Sequence, residues 1–270
     1  MSAEGAGPSS MTNVERWVAA LESRHFSDLT FQEVSRALRA LSSTYVERRH
    51  RLGQGAALDG AGKRAAMALF YAPLHYLIVR EIVRAVGAAS PAPHELLDLG
   101  CGTGAAGAAW ALEVGGRPRV LAIDRHPWCV AETGWTHATL GVQGRVRRDD
   151  FSEFSPPSRH GGIVAAYAIN ELDEESRGRV LRKFRDAIRR RCTILIVEPL
   201  SRAPVPWWAQ WRAAFEEAGG RADEWRFPME LPEIVRKLDR AAGLDHRELT
   251  GRSLFFRPAA AQTEPGPSRV

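Results

Sequence analysis

Leu97-Asp98-Leu99-Gly100-Cys101-Gly102-Thr103-Gly104 is the stretch on which the reading of the fold turns. The apolar run leading into it, HELLDL from His94, predicts a short strand, and Ala105 to Val114 behind it predicts a helix. Glycines at alternate positions let the backbone turn sharply and come close to a ligand, where a Cβ would collide. That ligand then lies near the N-terminus of the following helix. The next predicted strand, RVLAID, ends in Asp124, about 20 residues past the turn, where a carboxylate can accept both hydroxyls of a ribose. Strand, glycine loop, helix, strand and acid in that order predict a nucleoside cofactor.

The same alternation extends outward. Trp128 to Leu140 predicts a helix, GRVRR (144–148) a weak strand, GGIVAAYA (161–168) a buried strand, Glu174 to Arg190 a helix and TILIVEP (193–199) another strand. Leu231 to Ala242 predicts a closing helix, and HRELT (246–250) with SLFFR (253–257) predicts a closing hairpin. Strands alternating with helices mean a mostly parallel sheet covered on both faces, with ligands bound outside the carboxyl ends of the strands.

The loop does not match a dinucleotide fingerprint: position 105 is Ala, and Gly107 comes too late for G-x-G-x-x-G. It also lacks the G-K-S/T of a phosphate-binding loop. Asp98 before the glycines would repel a phosphate but suits a cation. An amino acid carrying a sulfonium beside its ammonium fits that electrostatics. DLGCGTG followed by AID resembles the first two motifs of the class I S-adenosylmethionine (SAM) dependent methyltransferases, over about residues 94–257. The resemblance implies an α/β, Rossmann-like sheet and SAM as cofactor. It also implies that Gly100, Gly102 and Gly104 lie under the methionine moiety, with Asp98 on its amino group and Asp124 on the ribose beside Arg125. Asp150 and Phe151 would meet the adenine, with Asp149 the alternative to Asp150, and the backbone near Tyr167 would contact the cofactor.

At the reacting end, Asn170 and Glu171 follow the fourth strand, where this class keeps acceptor-positioning groups; Glu171 can act as a base. The competing reading makes both of them helix caps. His75 and His126 are the histidines nearest the expected cleft, and structural roles are expected of them. Trp207, Trp208 and Trp211, with Trp225 beyond, either lid the acceptor pocket or pack their insertion onto the sheet.

Ahead of the sheet, residues 12–90 read as helical. Val14 to Leu21 and Phe31 to Leu41 carry apolar residues at helical spacing, Gly53 to Gly62 reads as a loop, and Arg64 to Val86 is the strongest helix, with a kink or break expected at Pro73. This region is expected to cover the cofactor face. Residues 1–11 and 259–270 read as disordered tails flanking a methyltransferase domain over 91–258.

LSSTYVERR (41–49), RAAMALFYAPLHYLIVREIV (64–83), AYAINEL (166–172) and ILIVEP (194–199) resemble more specifically the methyltransferase-like family of the mitochondrial small ribosomal subunit and its bacterial relatives. That resemblance implies a small-subunit rRNA or ribosome partner, and an assembly role with little or no methyl transfer as the alternative to an active enzyme. Mitochondrial-type members follow the fifth strand with cysteines that ligate an iron–sulfur cluster. Here the region reads PLSRAPVPWWAQW, without a cysteine, so no cluster is expected.

Composition narrows the rest. The chain has 270 residues, is 44% hydrophobic and 26% charged, and carries a formal net charge of +5, which permits an anionic partner without demanding one. Eight basic residues fall between Arg177 and Arg191, either a solvated face or an RNA-facing stripe. Charges such as Arg80-Glu81 cut the longest apolar runs short of the roughly 18 residues of a membrane span, so no membrane partner is expected. Met1 to Ser10 does not read as a signal peptide. Cys101, Cys129 and Cys192 form no CxxC pair, and the eight histidines show no metal spacing, so no metal is expected and a reducing cytoplasm is the expected compartment. No cysteine ends the fourth or fifth strand to act as a covalent nucleophile. The methyl acceptor, small molecule, peptide or rRNA, stays open.

Overall fold

A computed structural model describes residues 11–47, 58–114, 118–200 and 205–259. Residues 1–10 and 260–270 of the two predicted tails, part of the predicted 53–62 loop and part of the segment after the fifth strand lie outside the described residues. The centre is a seven-stranded sheet in the order β3-β2-β1-β4-β5-β7-β6. Its strands are β1 (Glu95–Leu99), β2 (Arg119–Asp124), β3 (Gly144–Arg148), β4 (Gly162–Ala166), β5 (Thr193–Glu198), β6 (Arg221–Pro228) and β7 (Glu248–Phe256). The first five run parallel, and β7 is antiparallel to both β5 and β6. The chain reverses strand order at β1/β4, and the crevice of an open α/β sheet forms there.

Period-two alternation sorts the central strands between two cores. Leu96, Val164, Leu195 and Val197 face one side, Leu97, Leu99, Ile163, Ile194 and Ile196 the other. Helices α7 (Glu174–Arg189) and α8 (Pro206–Glu217) cover the second side. On the first side lie α5 (Ala105–Glu113), α6 (Pro127–Leu140) and α9 (Glu233–Ala241).

The N-terminal helices share that first core. They are α1 (Asn13–His25), α2 (Phe31–Glu47), α3 (Ala61–Ala66) and α4 (Ala72–Ala85). Thr12 and Glu15 form a reciprocal capping box that starts α1. Trp17, Leu38, Leu69, Ile82 and the α5 residue Trp110 are fully buried in one continuous cluster. Each such side chain contributes roughly 1.5–3 kcal/mol relative to exposure. Arg84 of α4 pairs with Glu113 of α5 through two bonds of 2.7 and 2.8 Å.

Pro73 does not break the helix, which runs on from Ala61 to Ala85. A π-helical turn, Met67–Tyr71, joins α3 to α4, and Ala72 N–H donates to Met67 O, five residues back. The wider turn accommodates a proline ring that would otherwise press on the carbonyl four residues earlier. By length and composition, Ala61–Ala85 is apolar enough to cross a membrane despite Arg80-Glu81, contrary to the sequence reading; most of it is buried inside the fold.

The closing hairpin also differs from expectation. HRELT and SLFFR do not pair with each other. Strand β7 runs straight through Gly251, and its hairpin partner is β6, RADEWRFP, a strand missed in the sequence. Gly251 suggested a turn, yet it lies extended beside Glu198 O and Ile78. The edge strand β6 is rich in charge, which masked its alternation.

Candidate active site

The carboxyl ends of β1, β2, β4 and β5 open into a cavity of about 730 Å³. Sheet residues from the glycine loop, Asp124, Asp150 and the turn after β4 line one wall. The other wall comes from Met67, Tyr71, Leu74, His75 and Ile78 on the N-terminal helices and from His246, Leu249 and Thr250 near β7. The volume is within the range of pockets that bury small organic ligands.

The three loop glycines have different tasks. All adopt left-handed backbone, with φ +64, +54 and +76 for Gly100, Gly102 and Gly104. A Cβ on Gly100 would lie 2.6 Å from Ala168 Cβ, and one on Gly104 would lie 2.7 Å from Thr133 Cγ2. Those two are required by the protein's own packing. Nothing lies within 4 Å of the corresponding point on Gly102, so that face is open to a ligand. Gly107, dismissed in the sequence as too late, has a role after all: its N–H donates to Asp98 Oδ2 at 3.0 Å, and a Cβ there would sit 2.6 Å from that oxygen. The run of small residues after the loop is the signal that could have found it.

Asp98 is buried, and desolvation pushes its carboxyl up to about 7, opposed by the Gly107 bond. A cation beside it would favour the ionised form. Asp124 Oδ2 accepts from Gly102 N–H at 2.9 Å, and Oδ1 from His126 N–H at 2.8 Å. Each oxygen keeps a lone pair for a hydroxyl donor. Arg125 lines the same edge. Asp150 caps a short 3-10 turn by accepting from Ser152 N–H at 2.8 Å, and Phe151 follows it; both line the cavity. Asp149 does not line it and pairs with Arg147 at 3.2 Å. His126 also lines the cavity, and its Nδ1 caps α6 by accepting from Trp128 N–H at 3.2 Å.

The turn after β4 carries backbone strain. Tyr167 has φ +59, sparsely populated for a bulky residue. This bend directs its ring against His75 of α4, stacked at 3.9 Å and 15°. Burial lowers His75 to about 3, so it stays neutral.

Asn170 lines the cavity, and its side-chain amide is tied into the fold. Its Nδ2 donates to Glu198 Oε2, and its Oδ1 accepts from Trp207 Nε1 at 3.1 Å. Glu198, fully buried at the end of β5, also accepts from Ile169 N–H (3.0 Å) and Asn170 N–H (3.3 Å). Desolvation raises it to about 8, opposed by those donors and Arg252. Glu198 is a site residue to which the sequence reading assigned no role. Nor do Asn170 and Glu171 cap α7; Asp173 does, accepting from Ser176 N–H at 2.7 Å. Glu171 lines the cavity, and its carboxyl takes no hydrogen bond from a described residue. Burial first, and Asp124 second, raise it to about 7.

The tryptophans do not lid this cavity. Trp211 is buried against Phe184 and Phe215, Trp207 packs edge-on against it at 5.3 Å, and Trp208 carries the Arg252 guanidinium at 4.0 Å. Trp225 stacks on Phe227 and donates to Ser253 Oγ at 2.8 Å. None of the four is among the lining residues. Among the described residues, no group of three or more His, Cys, Asp or Glu is placed to hold a metal ion.

Residues 96–191 match a family model described as a methyltransferase domain. That span runs from β1 to the end of α7. No curated protein matches the chain. Among solved structures it is similar to the mitomycin 7-O-methyltransferase MmcR (13% identity, 90% of this chain and 73% of that one, TM-score 0.48). It is also similar to magnesium protoporphyrin IX methyltransferase from Synechocystis with bound SAM (13%, 84% and 98%, 0.47). A third is the 1,6-didemethyltoxoflavin N1-methyltransferase of Burkholderia thailandensis (18%, 81% and 88%, 0.46). Likenesses this distant say nothing of the acceptor. Strand order, glycine loop and matched domain define a Rossmann-like methyltransferase fold, with S-adenosylmethionine as its cofactor. The open face at Gly102, the buried acid Asp98 and the spare lone pairs of Asp124 fit that group.

Proposed function

We propose that this chain is an active SAM-dependent methyltransferase for a small molecule enclosed between the sheet and the N-terminal helices. The carrying observation is that one cavity joins the loop wall of Asp98, Gly102 and Asp124 to an apolar wall from the π turn and α4. Asp98 takes the amino group, and Asp124 with Arg125 the ribose. Asp150 and Phe151 take the adenine, and the backbone at Tyr167 and Ala168 borders the methionine moiety above Gly100 and Gly104. When bound, SAM supplies a methyl group on a good leaving group, so positioning provides most of the acceleration. Glu171 borders the cavity beside Asp124 and Arg125, toward the ribose. Asn170 acts through Glu198, holding the strained turn rather than touching the acceptor. Three buried free thiols support a reducing cytoplasm.

The second reading is a small-ribosomal-subunit factor acting on rRNA or on none. Its support is the sequence resemblance and the exposed Arg182, Arg185 and Arg189 of α7, with Arg190 just past its end. That stripe is partly neutralised: Arg179 and Lys183 pair with Glu153, and Arg189 with Asp186. Methyl-labelled SAM incubated with the protein and fractionated extract of its source cells tests the choice. Label in the small-molecule fraction is the expected result. Label in rRNA supports the second reading, and SAM binding without any transfer supports an assembly factor.

A further inference from the structure

The acceptor side of the cavity holds a pair of side chains without a task so far. His246, in the loop between α9 and β7, lines the cavity. Asp239 on α9 is buried. His246 Nδ1 lies 2.5 Å from Asp239 Oδ1, and His246 N–H donates to Asp239 Oδ2 at 2.9 Å. One carboxylate therefore grips both ring and backbone, which sets the ring's orientation and places its proton on Nδ1. The lone pair is then on Nε2, which has no hydrogen-bond partner among the described residues. Phe70 packs edge-on against the imidazole at 5.8 Å and 62°. The π turn thus delivers Phe70 to His246 and its neighbour Tyr71 to the cavity. Nearby charges are occupied elsewhere: Asp245 pairs with Arg247 at 2.9 Å and Glu248 with Arg226 at 2.6 Å.

We propose that Asp239–His246 is a general-base dyad serving a phenol-type acceptor; this rests on the methyltransferase reading above. The acceptor oxygen bonds to the methyl carbon as the carbon–sulfur bond breaks and its electron pair returns to sulfur. The hydroxyl proton passes to His246 Nε2, and the imidazolium returns it to water at the cavity mouth, where the side chain is 40% exposed. Of the other candidate bases, His75 and Glu198 are committed elsewhere, and Glu171 lies beside the ribose pair Asp124 and Arg125. His75 is half-buried and stacked against Tyr167. Glu198 holds three donors of the turn after β4. Glu171 feels Asp124 and Arg125, on the ribose side. Leu74, Ile78 and Leu249 with Tyr71 form a wall for a planar apolar ring. Among the lining residues Arg125, on the ribose side, is the one Lys or Arg side chain, so nothing on the acceptor wall offers a cation to a phosphate or carboxylate. A phenol is neutral, planar and acidic enough to lose its proton to imidazole during attack.

The test loads the full chain with S-adenosylhomocysteine, verified by calorimetry, and titrates 4-nitrophenol, whose absorbance distinguishes phenol from phenolate. The expected result is saturable binding with a bound phenolate signal at a pH where free 4-nitrophenol is mostly protonated. His246→Asn keeps a donor for Asp239 but has no base, and should lose the signal while binding the nucleoside normally. Asp239→Asn should move the ring proton to Nε2, read from imidazole ¹⁵N shifts, and lose the signal too. With SAM, methylation of a phenolic acceptor by His246→Asn should slow by roughly 10²- to 10⁴-fold. Failure to bind the nucleoside overturns the underlying methyltransferase reading. Nucleoside binding with no phenolate signal, or a signal that survives in His246→Asn, overturns the dyad alone.

Discussion

The two walls of the cavity are built in opposite ways. The cofactor wall is local: Asp98, Gly102 and Asp124 lie within one strand–loop–helix–strand unit and are tied by short backbone bonds. The acceptor wall is assembled from distant pieces: the π turn and α4, and the loop before β7 with the start of β7. A local wall is specified by backbone geometry and so tolerates few side chains. An assembled wall is specified by packing, and can change its ligand while the cofactor wall stays intact. Damage to the first should therefore abolish cofactor binding, and damage to the second should spare it.

Gly100→Val gives the largest expected effect. It forces a β-branched residue into left-handed backbone and drives its Cβ into Ala168, a combined cost on the order of 3–5 kcal/mol. Denaturant unfolding should show that loss together with loss of SAM binding. Asp124→Ala comes next. Leaving ribose hydroxyls poorly paired should weaken SAM by about 1.5–3 kcal/mol in calorimetry, with the helical region still folded.

The cofactor wall was largely legible because its signals are close in sequence and conformationally demanding: alternate glycines, an acid before them and an acid ending the next strand. Even there, reading all three glycines as ligand-facing missed that Gly100 and Gly104 serve protein packing. The acceptor wall was poorly legible. Asn170 was singled out by place alone; only tertiary contact shows its amide bonded to Glu198 and Trp207. His246 and Asp239 are seven residues apart in an unremarkable helix–loop stretch, and nothing local signals that they meet. Strand β6 was hidden by its charges, and β7 by a glycine that mimics a turn.

Acidity sharpens the contrast further. Burial raises Asp98 to about 7 in the free protein, so the folded state holds its proton where the unfolded chain has released it. Stability from this group is therefore full below its ordinary value near 3.8 and falls as pH rises toward 7. SAM binding, which favours the ionised form, should tighten by about tenfold from pH 6 to pH 8, and Asp98→Asn should flatten that dependence. Smallest of all, Trp207→Phe removes one bond to Asn170 on the far side of the turn. It should cost about 1 kcal/mol in thermal unfolding and leave SAM affinity unchanged.

The most direct measurement is calorimetric titration of S-adenosylhomocysteine into the wild-type chain beside Asp124→Ala and His246→Asn. The account predicts saturable one-to-one binding to the wild type, marked weakening in Asp124→Ala and wild-type affinity in His246→Asn. No binding to the wild type, or equal weakening in both variants, would contradict a cofactor wall that stands independently of the acceptor wall.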